Sequence, residues 1–262
     1  MELTNNNIND SDALGNIDLG KIWRIIRKSI LWIVLIMLFT NTLSILYLRY
    51  TKPVYESNSI LKLELESDAS VLGFSNPELN GNIKGLSGEI ELLKSKLFFR
   101  RVANTINYDV SYNRYGRYLT DEKYKNSPFK VFYEFNDEFF YDRKIDVEIL
   151  DDDKFQIELP STSGLEVSTH RFNETIEING NQLMLAKTKF FSKENGLGKY
   201  YFVINSTEKV INFLKNSVSV VPENVNAHTV RISLRDFNQL KAQDFVNAID
   251  TLYLSYIKET KN

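Results

Sequence analysis

The stretch Ser29–Leu48, SILWIVLIMLFTNTLSILYL, contains twenty consecutive residues without a charged side chain. A helix rises about 1.5 Å per residue, so a helical run of this length spans about 30 Å, the thickness of the hydrocarbon core of a bilayer. Trp32 lies near its start and Tyr47 near its end, where amphipathic rings prefer the headgroup level. The stretch therefore predicts a single transmembrane helix at residues 29–48.

Two other interpretations of this stretch are disfavoured. A buried core helix rarely contains so long an uncharged run bounded by cations, here Lys28 and Arg49. A cleaved signal peptide has a shorter apolar region, whereas 28 residues precede this one and no small-residue cleavage site follows it. We therefore expect an uncleaved anchor.

The charges that flank the apolar run predict its orientation. More cations precede it than follow it: Lys21, Arg24, Arg27 and Lys28 lie before it, Arg49 and Lys52 after it. Cytoplasmic flanks are enriched in Lys and Arg, so residues 1–28 are expected to form a cytoplasmic tail. The remainder of the chain is then expected on the opposite side of the membrane.

The overall composition excludes several kinds of chemistry. A net charge of −2 gives no general basic field for a nucleic acid. The absence of Cys excludes disulfides, thiolate metal sites and cysteine nucleophiles, and two histidines are too few for a multi-His metal site within one chain. We expect no cofactor.

Residues 49–127 mix strand and helix patterns. Alternation at 54–65 predicts a strand, polar residues at 66–85 predict a surface loop, and apolar spacing at 86–106 predicts two helices, the second capped by Ser95. A strand is expected at Val110–Tyr115.

Residues 128–205 form a β-rich segment. Six short β-runs separated by turn signals predict a sandwich or barrel inserted as one unit. The runs are Phe129–Phe135, Lys144–Leu150, Lys154–Leu159, Glu174–Ile178, Leu183–Lys187 and Tyr200–Ile204.

Residues 206–262 return to mixed patterns. A helix is expected at 207–216, strands at 217–221 and 229–234, and an amphipathic helix from Phe237 to Tyr256 with Asp236 as its N-cap. The expected fold is therefore α+β. It comprises the transmembrane helix, an α/β domain made of residues 49–127 and 206–262, and the β-rich subdomain of residues 128–205.

Acidic and histidine side chains give weak signals for catalysis. The run Asp151–Asp153 offers oxygen ligands for a hard cation, but a solvated turn is the better interpretation because the later Glu and Gly of an EF-hand loop are missing. His170 and His228 have no evident Ser or Asp signature around them, and both are interpreted as surface or strand-edge residues.

A mixture of cations and tyrosines between residues 100 and 124 is more distinctive. Guanidinium groups beside aromatic rings can bind an anionic glycan through charge and through stacking on sugar faces. A β-surface with ordinary exposed tyrosines and subunit-contact arginines is the favoured alternative. The candidate glycan or subunit contacts are Arg100, Arg101, Arg114, Arg117, Tyr115 and Tyr118.

The order of these pieces resembles a Wzz-type chain-length determinant domain. The resemblance rests on the strand TKPVYES at 51–57 and the helix GEIELLKS at 88–95, both placed after a membrane anchor. The segment SPFKV at 127–131 and the stretch from Asn247 to Tyr256 also resemble the membrane and periplasmic region of Wzc-like exopolysaccharide tyrosine autokinases. The resemblance covers about residues 17–262.

This resemblance implies a polysaccharide co-polymerase of the bacterial inner membrane. Such proteins project an α/β domain into the periplasm, form homo-oligomeric rings, and act with a polysaccharide polymerase and an outer-membrane export protein. The sequence departs from the family in lacking a second membrane span and the phosphate-binding pattern G-x-x-x-x-G-K-[ST]. We therefore expect no kinase activity, and either a fragment of a longer autokinase or a split gene with a separate cytoplasmic kinase.

The sequence thus predicts a non-enzymatic, membrane-anchored scaffold subunit that governs the length and export of capsule, exopolysaccharide or O-antigen. The alternative is a single-pass receptor ectodomain that binds an envelope ligand, and a glycan-processing enzyme ranks third. Altered polymer length after deletion would favour the scaffold, whereas altered transcription would favour the receptor.

Overall fold

A computed structural model describes residues 19–63, 80–135, 138–161, 164–178, 180–192 and 196–260. The first 18 residues of the predicted cytoplasmic tail (residues 1–28) and most of the predicted loop at 66–85 lie outside these residues. The last six residues of that loop are described and belong to a helix that begins at Asn80, so the loop prediction is wrong there. The chain divides into two compact units, Met1–Thr51 and Lys52–Asn262.

The first unit contains helix α1 (Leu19–Tyr50). Its segment Ile26–Tyr50 includes an 18-residue window with a mean hydropathy of 2.1 and no buried residues, so the segment is long and apolar enough to cross a membrane. The polar residues near its centre bond to its own backbone: Thr40 Oγ1 donates to the Ile36 carbonyl at 3.0 Å. Asn41 and Thr42 make equivalent bonds to Met37 and Leu38. These donor groups therefore have partners within the helix itself, as an apolar surrounding requires.

The second unit alternates helices and strands along the chain. In order they are β1 (Tyr55–Lys62), α2 (Asn80–Leu93), α3 (Lys96–Thr105), β2 (Val110–Tyr115), β3 (Thr120–Glu122), β4 (Phe129–Glu134), a 3₁₀ turn (Glu138–Phe140), β5 (Lys144–Ile149), β6 (Lys154–Ser161), β7 (Gly164–Arg171), β8 (Thr175–Ile178), β9 (Asn181–Lys187), β10 (Gly198–Ile204), α4 (Thr207–Ser217), β11 (Val218–Asn224), β12 (Thr229–Asp236) and α5 (Gln239–Thr260).

An α/β layer joins the two ends of this unit. Strands β1, β12 and β11 form an antiparallel sheet in that order. Alternation along β12 buries Val230, Ile232 and Leu234 completely, and α5 covers this face with a stripe that includes Phe245 and Ile249. The face is apolar at every second residue because successive strand side chains point to opposite sides.

The remaining strands form a β-sandwich. One sheet has six strands in the order β3-β2-β10-β5-β6-β7, and the other has three in the order β4-β9-β8. Between them lies an aromatic core in which Phe129, Phe155 and Phe202 are fully buried. The Phe129 ring meets Tyr200 edge to face, with ring centroids 5.7 Å apart. Such contacts add to the stabilisation that burial of these rings provides.

The mixed α+β class predicted from the sequence is confirmed. Ser95 caps α3 as predicted, its Oγ accepting from the Phe98 N–H at 3.1 Å. The predicted strand at Val110–Tyr115 is β2, and it pairs with β10. The six-stranded sheet therefore extends into chain that precedes residue 128, the expected start of the β-rich segment.

Two details of the last helix differ from the prediction. Asp236 ends β12, and Asn238 caps α5 instead, because its Oδ1 accepts from the Lys241 N–H at 3.1 Å. Phe237 and Leu240, expected on the apolar stripe, are 56% and 46% exposed. The helix begins two residues after Phe237, so the stripe starts at Ala242.

Candidate functional site

The predicted contact residues fall into two groups on different elements. Arg100 and Arg101 lie on α3 and are exposed. Arg100 reaches Glu208 on α4, with Nη2 3.4 Å from Oε1, and Lys96 pairs with the same carboxylate at 2.9 Å. Arg100 therefore helps to hold two helices of one chain together, whereas Arg101 projects from the same helix into solvent.

The other four residues lie on or just after β2. Arg114 stacks over the Tyr200 ring with its guanidinium carbon 5.6 Å from the centroid, and Arg117 stacks over Tyr118 at 5.4 Å. The Tyr115 hydroxyl donates to Asp146 Oδ1 at 2.7 Å. Of these four residues the structure pairs only Arg117 with Tyr118 as cation and ring, and Tyr115 and Tyr118 are about 40% and 45% exposed.

Three neighbouring tyrosines are not available at the surface. Tyr108, Tyr112 and Tyr124 are each less than a tenth exposed and belong to the two cores. Tyr112 accepts the Val131 N–H at 3.0 Å, and Tyr108 packs edge to face on Phe245. The cation–tyrosine pattern in the sequence is therefore partly a core pattern.

Sequence reasoning missed a buried charged cluster around Lys241 on α5. Lys241 is 5% exposed, and its Nζ lies 2.9 Å from Glu122 Oε2 and 3.0 Å from Asp236 Oδ2. The ammonium also sits over the rings of Tyr108 and Phe213, at 5.0 and 4.5 Å. Burial opposes the charge, but Tyr108, Glu122 and Asp236 outweigh it and raise the pKa of Lys241.

Hydrogen bonds extend this cluster into the β-sandwich. The Tyr108 hydroxyl donates to Glu122 Oε1 at 2.7 Å and accepts from Ser111 at 3.0 Å. The Asn205 amide then donates to Ser111 Oγ at 2.7 Å. One polar network thus joins α5 and β12 of the α/β layer to β2 and β3 of the six-stranded sheet. It positions the two halves of the unit rigidly, since each member is held by others.

A second arrangement around His170 resembles a Ser–His–carboxylate relay. His170 Nε2 lies 2.9 Å from Ser168 Oγ, and Nδ1 lies 3.5 Å from Glu174 Oε1. The backbone N–H groups that follow are all engaged: Arg171 donates to Glu174, Phe172 to Asp153, Asn173 to Leu185, and Glu174 to Arg171. Those donors build the turn and do not form an oxyanion hole, so the arrangement has the geometry of a structural turn.

The acidic run at 151–153 also forms a turn. Asp151 Oδ1 accepts the backbone N–H groups of Asp153 at 2.7 Å and Lys154 at 2.8 Å. These bonds lower the pKa of Asp151 because they favour the carboxylate. Within the described residues, no group of three His, Asp or Glu side chains is placed to hold a metal ion.

Buried tyrosines make the stability of the fold sensitive to alkaline pH. Burial raises the pKa of Tyr112 to about 12, and burial also raises the pKa of Tyr108. Unfolded tyrosine titrates near pH 10, so the stability of the neutral phenols is fully present below about pH 10 and is lost as the pH rises towards 12. We expect denaturant midpoints of the detergent-solubilised chain to be flat between about pH 8 and 9.5 and to fall above 10. A constant midpoint up to about pH 11.5 would refute this.

Residues 15–106 match the family model of the Wzz chain length determinant protein. The matched segment spans α1, β1, α2 and α3, and so includes the apolar helix, the first strand of the α/β layer and the helix that carries Arg100 and Arg101. No curated protein matches the chain.

Proposed function

We propose that this chain, which carries a Wzz chain length determinant domain over residues 15–106, is a membrane-anchored subunit that scaffolds polysaccharide biosynthesis and export. The observation that carries the proposal is the coincidence of this family match with α1, whose segment Ile26–Tyr50 is able to cross a membrane. The Wzz family is a family of non-enzymatic co-polymerases that determine chain length in polysaccharide biosynthesis. The proposed role requires no catalytic residue in this chain.

The proposed setting is the bacterial inner membrane, with the tail in the cytoplasm and residues 49–262 in the periplasm. The excess of cations before α1 supports this orientation. The proposed partners are a polysaccharide polymerase, an outer-membrane export protein and further copies of this chain. Proteins of the Wzz family act as oligomers in polysaccharide assembly, which supports a ring of subunits.

The geometry favours Arg101 as a subunit contact. It is exposed on α3, a helix that buries Phe98, Phe99 and Val102 against the α/β core. Arg100 beside it is already paired with Glu208 in the same chain. A carboxylate on a neighbouring copy would form an ion pair with Arg101.

Assembly is tested by native mass spectrometry of the full chain in nanodiscs. We expect a closed oligomer of defined copy number, and we expect Arg101→Glu to reduce its fraction. Lys215→Glu, an equal charge reversal in the last turn of α4, serves as the control and leaves the oligomer intact. Monomers in the wild-type spectrum would contradict the ring, and equal effects of the two variants would contradict the contact.

A further inference from the structure

A cleft lies on the outer face of the six-stranded sheet, where it also reaches Val147 and Tyr200 of the aromatic core. Its volume is about 130 Å³, and it is lined by residues of four adjacent strands, β2, β10, β5 and β6. The lining residues are Tyr115, Asp146, Val147, Glu148, Gln156, Glu158, Lys199 and Tyr200. None of these belongs to the segment that matches the family model.

Strand register sets these side chains in two neighbouring rows. In one row Lys199 faces Glu148, which in turn faces Gln156. In the other row Asp146 faces Glu158 across β5 and β6. Residues directly opposite one another on a sheet have Cβ atoms about 5 Å apart, so the rows form one continuous polar strip.

The charges of this strip are unbalanced. Glu148 is paired with Lys199 at 3.6 Å, and Asp146 accepts the Tyr115 hydroxyl at 2.7 Å. Among the described residues, the side chains of Gln156 and Glu158 have no hydrogen bond or ion pair. Asp146 and Glu158 are like charges in directly opposed positions, an arrangement that destabilises a free sheet. A ligand that donates hydrogen bonds to both carboxylates would relieve this repulsion.

We propose that this cleft binds an uncharged sugar unit of the polysaccharide that the chain helps to assemble, an inference that rests on the proposed function. Sugar hydroxyls donate to the carboxylates of Asp146 and Glu158, and the Gln156 amide both donates and accepts. The exposed Tyr115 ring offers an apolar face to the sugar ring. The lining holds three carboxylates against one ammonium, so anionic sugars are repelled.

This assignment reverses the charge preference expected from the sequence. The arginines near the cleft do not line it: Arg114 stacks on Tyr200, and Arg117 stacks on Tyr118. Their guanidinium groups therefore stack on rings of the same chain, and the surface offered to a ligand is acidic, with one amide side chain, Gln156. A divalent cation is a poorer occupant because the described carboxylates do not converge on one point as metal ligands.

The test is isothermal titration calorimetry with the full chain in nanodiscs of zwitterionic lipid. The uncharged ligands are cellohexaose, maltohexaose, mannohexaose and the hexamer of N-acetylglucosamine, and the anionic ligand is hexagalacturonate. We expect at least one uncharged hexamer to bind and hexagalacturonate to bind at least tenfold more weakly. Gln156→Ala/Glu158→Ala is expected to weaken the binding at least tenfold.

A matched pair on the other sheet provides the control. Glu177 and Gln182 face each other on β8 and β9, so Glu177→Ala/Gln182→Ala removes the same two groups elsewhere and leaves binding unchanged. Asp146→Asn/Glu158→Gln keeps side-chain shape and is expected to raise hexagalacturonate affinity at least tenfold without lowering Tm. This isosteric variant tests the inference even if the Gln156→Ala/Glu158→Ala variant fails to fold.

Three outcomes would overturn the inference: no binding by any uncharged hexamer, equal losses in the two alanine pairs, or tighter binding of hexagalacturonate by the wild-type chain. Binding that requires added Ca²⁺, or that is displaced by a basic peptide such as hexalysine at equal concentration, would instead assign the cleft to a cation or a protein partner and would also overturn it. If no sugar binds in these titrations but the chain still determines polymer length in cells, the inference about the cleft fails and the proposed function is retained.

Discussion

Replacing Lys241 by alanine is expected to lower the free energy of unfolding of the second unit by about 3 to 5 kcal/mol, because it removes one partner of a buried charge cluster. The side chain of Lys241 is 6% exposed, and those of its partners Glu122 and Asp236 are 17% and 7% exposed. Without the ammonium, two carboxylates remain in a low-dielectric region with no compensating charge. The loss is measured by denaturant unfolding of the full chain in mild detergent, with far-UV circular dichroism as the probe of unfolding.

The control for this prediction is an ion pair whose cation is exposed. Lys125 pairs with Asp244 on α5 but is 65% exposed, so Lys125→Ala is expected to cost less than about 1 kcal/mol. Lys241→Met retains most of the side-chain volume and is expected to remain severely destabilised, because the uncompensated carboxylates are the cause. Equal, small losses for Lys241→Ala and Lys125→Ala would show that the cluster does not stabilise the junction.

Placing two arginines at the centre of α1 is expected to release the chain from the membrane. Leu35 and Leu38 lie near the middle of the apolar segment Ile26–Tyr50. Each arginine at a helix centre costs about 3 kcal/mol on insertion, so Leu35→Arg/Leu38→Arg costs about 6 kcal/mol. Extraction of membranes with alkaline carbonate is the measurement, and we expect the variant in the supernatant and the wild-type chain in the pellet.

Leu35→Met/Leu38→Met keeps the helix apolar and is the matched control, which stays in the pellet. Recovery of the double-arginine variant in the carbonate-resistant pellet would contradict the role of α1 as the anchor. Recovery of the wild-type chain in the soluble fraction would contradict it more strongly, because the proposed function requires the chain to remain at the membrane.

Local patterns predicted most of the elements. The uncharged run, the Ser95 cap and the alternating strands depend on residues close together in sequence, and the structure contains each of them. Strand β7 was missed because Leu165 and Val167 are 69% and 54% exposed. It is an edge strand with no buried residue, and its apolar alternation is limited to Leu165 and Val167 before the polar run from Ser168 to Arg171.

Contacts between distant segments could not be predicted from one sequence. The Lys241 cluster joins Glu122, Asp236 and Tyr108, which local periodicity treats as unrelated residues. The six-stranded sheet likewise depends on the pairing of β2 with β10, two strands that are far apart in the chain. A lysine four residues before Phe245 and eight before Ile249, and so on the same helix face as these apolar residues, was an available signal for the cluster.

The predicted contact residues show the same limit. Composition identified cations near tyrosines, but it could not show that Arg100 pairs with Glu208 or that Arg114 stacks on Tyr200. The acidic strip of the cleft arises from strand register, which brings Asp146 opposite Glu158. Register is set by the buried faces of the sheet, and neither carboxylate carries that information alone.

The size distribution of the surface polysaccharide tests the central claim most directly. It is measured by gel electrophoresis in the strain that encodes the chain, in a deletion strain, and in the deletion strain complemented with the wild-type chain or with Leu35→Arg/Leu38→Arg. We predict a defined modal length with the wild-type chain, and loss of that mode at unchanged sugar composition both in the deletion strain and with the double-arginine variant. An unchanged length distribution in the deletion strain would contradict the account.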